Sequence, residues 1–592
     1  MEHAMARRLL AGCVGFLLIA GDLCAQGHGD VLYRARNVHS GNRIRTTWWN
    51  TGLLGTRRGL VGTYNGEWPI NSGHASMGNA EPYVVTELSV FDRLHPVTGD
   101  SIFAKIHPVV WTEGWDPDRY PHDSLGTFLG FEPLPGFYNM DNPDENKAAM
   151  SHRPITWPAY WPDKLSDPVN PGWRAHWNGY FGYGVINADQ ESYSVVDDYG
   201  FKKRIGTYSL PLPVPQEPHR GGLGLKMSIR GLQWSNPDAQ DCIFWIFKIA
   251  NFGQLFMKRT VFGYNAGPAI GGLVGTGGDW DDDLGKFYRD LGLTASYDFD
   301  NVGANGYSPV AWTGFAFLES PGNPFDGIDN DGDGINAPGG GVVITTDDFA
   351  LRFANVGDRI VLIDYNSPSY ERKVTTMPPE GVSFEFEKVT YKIVPGQPLV
   401  EIPRNGIDDN LNGIIDEADS ASVPQTGEVF FLYANQPIDY LRKDYISGAG
   451  LSNLMIDERR DDGVDNDGDW DRMSDDVGLD GAEATGDPGE GDGRPTPGWG
   501  DLPGEPHIDR VDVKESDQIG LTSFVFYEYG TLTYANDEQM WFVSRPGFFD
   551  SFENTRQDND YVFSTGYFPL APKQEETFSI AMLYGVNEEQ LL

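Results

Sequence analysis

Cys242-Ile-Phe-Trp-Ile-Phe-Lys-Ile-Ala250 is apolar on both of the faces that alternate along an extended chain, with Lys248 its one charged residue. A strand of that kind belongs in the middle of a sheet covered on two sides, so the segment reads as a central strand. Its neighbours fit. Leu223 to Ile229, with Leu232 and Trp234, forms a strand before the turn Ser235-Asn-Pro-Asp238, and Lys258-Arg-Thr-Val-Phe-Gly-Tyr264 forms another beyond it. Cys242 is then a buried, inert thiol, since no His stands nearby in the sequence to activate it. Around this core, Gly 72 and Pro 40 favour short strands and turns over long helices. A chain of 592 residues exceeds one ordinary hydrophobic core. The expected fold is all-β and multidomain.

The chain divides by composition. Residues 26–220 are an aromatic, Gly- and Pro-rich β region with Trp48-Trp49, the run Ile155-Thr-Trp-Pro-Ala-Tyr-Trp161, and then Trp173, Trp177, Tyr180 and Phe181. Residues 221–325 open a β-sandwich, and 326–419 read as a small β module inserted into it. In that module Arg359-Ile-Val-Leu-Ile-Asp-Tyr365 is one strand. In Gly381-Val-Ser-Phe-Glu-Phe-Glu387, Val382, Phe384 and Phe386 alternate with Ser383, Glu385 and Glu387, the period of a sheet wet on one side. The sandwich is expected to continue over 420–456, where Val429-Phe-Phe-Leu-Tyr433 returns to a buried pattern. It finishes over 519–592 with Leu521-Thr-Ser-Phe-Val-Phe-Tyr527, Tyr561-Val-Phe563 and Thr577-Phe-Ser-Ile-Ala-Met-Leu-Tyr584. Residues 457–518 are an Asp- and Gly-rich linker whose few apolar anchors do not offset its ordering entropy, so its order is expected to depend on metal.

Residues 1–25 read as a secretory signal peptide: Arg7 and Arg8, an apolar run from Leu9 to Ala20 too short to span a bilayer, and Ala25 at the cleavage position. Leu10-Ala-Gly-Cys13 resembles a lipobox, but the apolar run continues past Cys13, which argues against lipidation. Cleavage leaves Cys242 as the one cysteine, so metal ions take the place of disulfides as staples in an exported chain. No later stretch is long and apolar enough for a membrane helix. The formal charge of −42, from 86 carboxylates against 44 Lys and Arg, excludes nucleic acid as a partner and favours cations.

Much of that charge sits in three loops of one design: Asp326-Gly-Ile-Asp-Asn-Asp-Gly-Asp-Gly-Ile-Asn336, Asn405-Gly-Ile-Asp-Asp-Asn-Leu-Asn-Gly-Ile-Ile-Asp-Glu417 and Asp462-Gly-Val-Asp-Asn-Asp-Gly-Asp-Trp-Asp471. Oxygen side chains at alternate positions around a Gly-rich turn converge on one hard cation, and Ca2+ suits such flexible loops better than Mg2+. The middle loop fills every expected position: Asp408 first, Asn410 third, Asn412 fifth, Gly413 sixth, the Ile414 carbonyl seventh, Asp416 ninth and Asp419 twelfth. Two neutral ligands and a closing Asp in place of Glu imply weak affinity, about 10⁻⁴–10⁻³ M. The first loop offers Asp329, Asp331 and Asp333, with Asp326 to complete the shell. The third offers Asp465, Asp467, Asp469 and Asp471, with Trp470 where the glycine would stand.

These loops resemble thrombospondin type 3 calcium repeats and the bacterial metal-binding motif of the MopE kind. That resemblance implies extracellular calcium ligation and rigid loops; it covers about a tenth of the chain, without the cysteines of many relatives. Ser235-Asn-Pro-Asp238, the strand running to Asn251-Phe-Gly253, and Phe568-Pro-Leu-Ala-Pro572 are similar to parts of large exported bacterial proteins with immunoglobulin-like sandwiches. An immunoglobulin-like arrangement is what this second resemblance implies.

No His-Glu-x-x-His pair, nucleophile elbow or phosphate loop occurs in the sequence. Two functional expectations follow. The first is a calcium-stabilised, secreted or cell-surface protein with a structural, adhesive or ligand-binding role toward glycans or surface proteins. The alternative is a secreted carbohydrate-active protein whose aromatic N-terminal half stacks on sugars, with Asp189 and Glu191 beside the aromatic run as a carboxylate pair.

Overall fold

The computed structural model describes residues 27–55, 62–96, 101–112, 119–167, 169–275, 279–288, 291–321, 353–367, 370, 372–386, 389–400, 402, 405–413, 415, 432–433, 436–437, 470–499, 502–506, 508, 519–550 and 558–592. Among these residues, sixteen strands build two large sheets. In chain order they begin with β1 (Arg36–His39), β2 (Thr46–Trp49), β3 (Leu54–Gly55), β4 (His74–Thr86), β5 (Val109–Trp111), β6 (Glu132–Pro133), β7 (Gln190–Asp197) and β8 (Leu225–Gln233). They continue with β9 (Cys242–Asn251), β10 (Met257–Leu273), β11 (Asp283–Tyr288), β12 (Leu293–Asp298) and β13 (Trp312–Glu319). The last three are β14 (Ser523–Glu528), β15 (Asn559–Leu570) and β16 (Glu575–Gly585). One eight-stranded sheet has the order β1-β2-β3-β4-β10-β15-β14, with β5 also on β4; the other has the order β11-β12-β13-β16-β9-β8-β7-β6.

The quoted segment is β9, and it lies between β8 and β16 in the interior of its sheet. Its inward residues Ile243, Trp245, Phe247 and Ile249 are all buried. Phe247 stands opposite Ile229 and Phe578 within the sheet. Across the layer it meets Phe262 at 5.2 Å between ring centroids, and Phe262 meets Phe578 at 4.5 Å. Such contacts from both inner faces make the two sheets a sandwich around one main core. The outer face of β9 is less covered: Ile246 packs in a small satellite cluster with Ala188 and Leu232, with Trp234 and Phe244 at its margin. Cys242 is buried there, and burial pushes its thiol up to about 11, as an inert cysteine requires.

Residue 220 does not divide the core. β4 pairs with β10, and β7 with β8, so strands from both sides of that point share both sheets. Trp48, Trp161, Trp173 and Trp177 of the aromatic region point into the main core. Between β13 and β14 runs an excursion whose described strands pair with neither large sheet. Its two ends meet there, where Ile519 donates its N–H to the Pro321 carbonyl at 3.0 Å and Gly520 donates to Ser320 Oγ at 2.8 Å. Within 420–456 the described strands Leu432–Tyr433 and Gln436–Pro437 pair with each other in a separate ladder, not with the sandwich.

The hairpins of the excursion include Arg359–Ile363 with Arg372–Thr376 and Val382–Phe386 with Val389–Ile393. Ile363, Tyr365, Tyr370, Phe386, Ile407 and Ile415 join a second core on the outer face of the β4–β10–β15 sheet. Helix α1 (Asp537–Ser544) adds Met540, Trp541 and Val543 to that core, its first turn capped by Asn536, which accepts from the N–H of Gln539. A short terminal helix, α2 (Glu588–Leu591), follows β16.

Candidate metal centre

The middle acidic loop is mounted on the first hairpin of the excursion. Val361 donates its N–H to the Leu411 carbonyl at 2.9 Å, and Arg372 Nε donates to the Gly413 carbonyl at 2.7 Å. The Tyr365 hydroxyl accepts the N–H of Asp408 at 2.8 Å. Gly413, at φ +93°, adopts a backbone shape that favours glycine, which explains why this sixth position carries no side chain. Inside the turn the N–H of Asn412 points to Asp408 Oδ1 at 3.1 Å, and the N–H of Gly413 points to Asp408 Oδ2 at 2.7 Å. Asn410 Oδ1 accepts the N–H of Asn412 at 3.0 Å.

These bonds gather Asp408, Asn410 and Asn412, only 2%, 8% and 2% exposed, on one turn. The side chains of the group offer oxygens and no sulfur or imidazole. That chemistry fits a hard cation and does not fit zinc or copper. Ile414, Asp416 and Asp419 lie outside the described residues; Ile415 between them is buried in the outer core.

Tyr365 also links the loop to the sandwich. Its carbonyl accepts from Lys258 Nζ at 2.6 Å and from Arg259 Nη2 at 2.8 Å, both on β10. Burial first, and then the neighbouring Arg259, lower Lys258 to about 7. Glu87 stands against this basic pair, and although burial pushes it up, the His107 hydrogen bond and the charges of Arg259 and Lys105 hold it at about 2. A cleft of about 240 Å³ opens beside the loop, with Phe386, Tyr391, Asn405 and Ile407 from the excursion and Arg545 and Tyr567 from the sandwich. Docking of the excursion therefore shapes both of its walls.

Asp326, Asp329, Asp331 and Asp333 lie outside the described residues, as do Asp465, Asp467, Asp469 and the proposed signal segment. Asp471 is described and exposed, and its Oδ1 accepts the N–H of Met473 at 2.9 Å. Downstream of it the linker is ordered by carboxylates that bind backbone amides. Glu505 accepts from the N–H groups of Gly478 and Thr496 and from Trp470 Nε1, while Asp476 accepts from Asp492 and Gly493. Hydrogen bonds thus replace the apolar anchors that the linker's composition lacks.

A further carboxylate group, missed in the sequence, lies at the open end of the β11–β12 hairpin. Oxygens of Asp282, Asp298 and Asp300 lie within 4.8 Å of one another. Asp283 is the cross-strand partner of Asp298. Burial, followed by the adjoining carboxylates, raises Asp298 to about 6; burial also raises Asp283 and Asp279. The signal was two short acidic runs, Asp279-Trp-Asp-Asp-Asp283 and Asp298-Phe-Asp-Asn301, which lack a glycine-centred loop and meet only through strand pairing.

The residues of the carbohydrate reading are placed otherwise. Glu191 is buried and accepts Trp177 Nε1 at 2.6 Å and the N–H of Asn187 at 2.9 Å, while Asp189 accepts the N–H of Ser235 at 2.6 Å. Each carboxylate fixes a neighbouring segment. No family model, curated protein or solved structure matches the chain.

Proposed function

We propose that this is an exported, calcium-binding protein with a structural, adhesive or ligand-binding role at the cell surface, in which calcium in the acidic loops fixes an inserted β module against a large sandwich. One observation carries the reading: the buried set of Asp408, Asn410 and Asn412 is joined to β10 through Tyr365. An ion that orders the loop holds Tyr365 in place, and Tyr365 in turn seats the excursion. The cleft between the two bodies is the natural place for a ligand, because it exists only while they are docked.

The test is a calcium titration of the protein followed by thermal melting, with Asp408→Asn beside the wild type. At a calcium concentration tenfold above Kd, binding to the native state alone stabilises by about 1.4 kcal/mol per site, which is a readable rise in Tm. The variant is expected to lose part of that rise. A wild-type Tm that stays the same in millimolar calcium and in chelator ends this reading.

A further inference from the structure

The two sheets of the sandwich meet at one corner through the end of β10 and the open end of the β11–β12 hairpin. Asp283 Oδ2 accepts the N–H of Ile270 on β10 at 3.0 Å. Gly303, just past β12, lies so close to Gly271 that a Cβ on it would stand 2.6 Å from the Gly271 Cα. Asn301, at φ +62°, turns the chain here and accepts the N–H of Val310 at 3.0 Å.

At this corner the ladder sets Asp283 opposite Asp298, so both carboxylates leave the same face of the hairpin. Like charges directly opposite are destabilising. Asp283 is 0% exposed and Asp298 5%, which removes the water that would screen them. Asp282 and Asp300 add two more carboxylates, and Asp279 stands alongside. Among the described residues no Lys, Arg or His forms an ion pair with any of the five.

Independently of the crowding, specific oxygens lack hydrogen-bond partners among the described residues. Asp298 Oδ1 accepts the N–H of Val302 at 2.9 Å, but its Oδ2 is buried and accepts nothing. Asp283 Oδ1 and Asp279 Oδ2 are likewise buried without a hydrogen bond. Buried carboxylate oxygens are normally paired, bonded or bound to metal, and an oxygen left alone costs its full desolvation. Three such oxygens at one corner call for a cation.

We propose that Asp282, Asp298 and Asp300, with Asp283 and Asp279 in support, form a divalent-cation site that staples the β11–β12 hairpin to the end of β10. The donors are all oxygen, so the ion is hard: calcium or magnesium, not zinc or copper. Calcium is the better fit, because it accepts an irregular set of carboxylates where magnesium demands near-ideal octahedral geometry. This site rests on the corner geometry alone and is independent of the acidic loops.

The experiment measures calcium stoichiometry by equilibrium dialysis, and Tm in calcium and in chelator, for wild type, Asp298→Asn and Asp408→Asn. The side-chain amide that Asp298→Asn introduces keeps an acceptor for the Val302 N–H while losing one negative charge. The expected result is a crossing. In chelator Asp298→Asn melts at or above the wild type because repulsion is relieved, and in calcium it melts below it with about one fewer ion bound. An Asp298→Asn protein that binds as many ions as the wild type, with the same calcium-dependent rise in Tm, overturns the site. A lower Tm in both media, with stoichiometry unchanged, also overturns it, because Asp298 would then serve only the Val302 turn. Loss of an ion in Asp298→Asn but not in Asp408→Asn supports the corner site and counts against the loop reading; the reverse pattern does the opposite.

Discussion

Tyr365 serves the molecule through three separate atoms or groups. Its carbonyl binds Lys258 and Arg259, its ring lies in the outer core against Phe384 and Phe386, and its hydroxyl holds the Asp408 amide. Lys258 gives this joint a pH dependence. Its pKa falls from the ordinary lysine value to about 7 in the folded chain, chiefly through burial. Between about pH 7 and 10 the unfolded chain then holds the extra proton, so this residue's contribution to stability rises with pH and is least favourable below pH 7. In melts at pH 6 and pH 9, the Tm of the wild type relative to Lys258→Met should therefore be higher at pH 9. A difference that does not move with pH would mean that the charged amine is fully solvated in the fold. Nothing in the sequence marks Tyr365 or Lys258, since each acts through partners more than 40 residues away along the chain.

At the scale of elements, the strands were the legible part. The expected strand at 242–250 is Cys242–Asn251, that at 381–387 is Val382–Phe386, and that at 577–584 is Glu575–Gly585. Each was readable because alternation is a local consequence of the pleat. Their importance to packing follows from position. Phe247, buried between Ile229, Phe262 and Phe578, should lose about 4 kcal/mol on substitution by Ala, through lost transfer energy and an unfilled cavity. Denaturant unfolding of Phe247→Ala checks this, and a loss below about 1 kcal/mol would mean that the site collapses to fill the gap. The gathering of Asp408, Asn410 and Asn412 on one turn was also legible, because they follow one another along the chain. The corner carboxylates were not: Asp283 and Asp298 become neighbours only when β11 pairs with β12.

For the whole molecule, the excursion is a passenger on a sandwich closed at its roots. Ile519 meets Pro321, and the returning chain supplies β15 next to β10 and β16 between β9 and β13. Because loop-closure entropy grows slowly with length, a long insertion at such a root costs the sandwich little. Replacing residues 322–518 by a short Gly/Ser linker should leave a β-rich chain with a cooperative melt. It should also expose the outer core around Tyr567 and Arg259, where Phe386 now packs, and so raise binding of a hydrophobic dye. A deletion protein that fails to fold would show that the excursion is part of the sandwich's own stability. Sequence by itself determined the all-β character, the central strand and the oxygen-rich make-up of the middle loop, since alternation, turn residues and the spacing of Asp and Asn are properties of neighbours along the chain. Only the tertiary structure decided that residues on both sides of 220 share one core, that the excursion rejoins at 519, and that five aspartates crowd one corner. Those facts depend on strand pairing between distant segments, which local pattern does not encode.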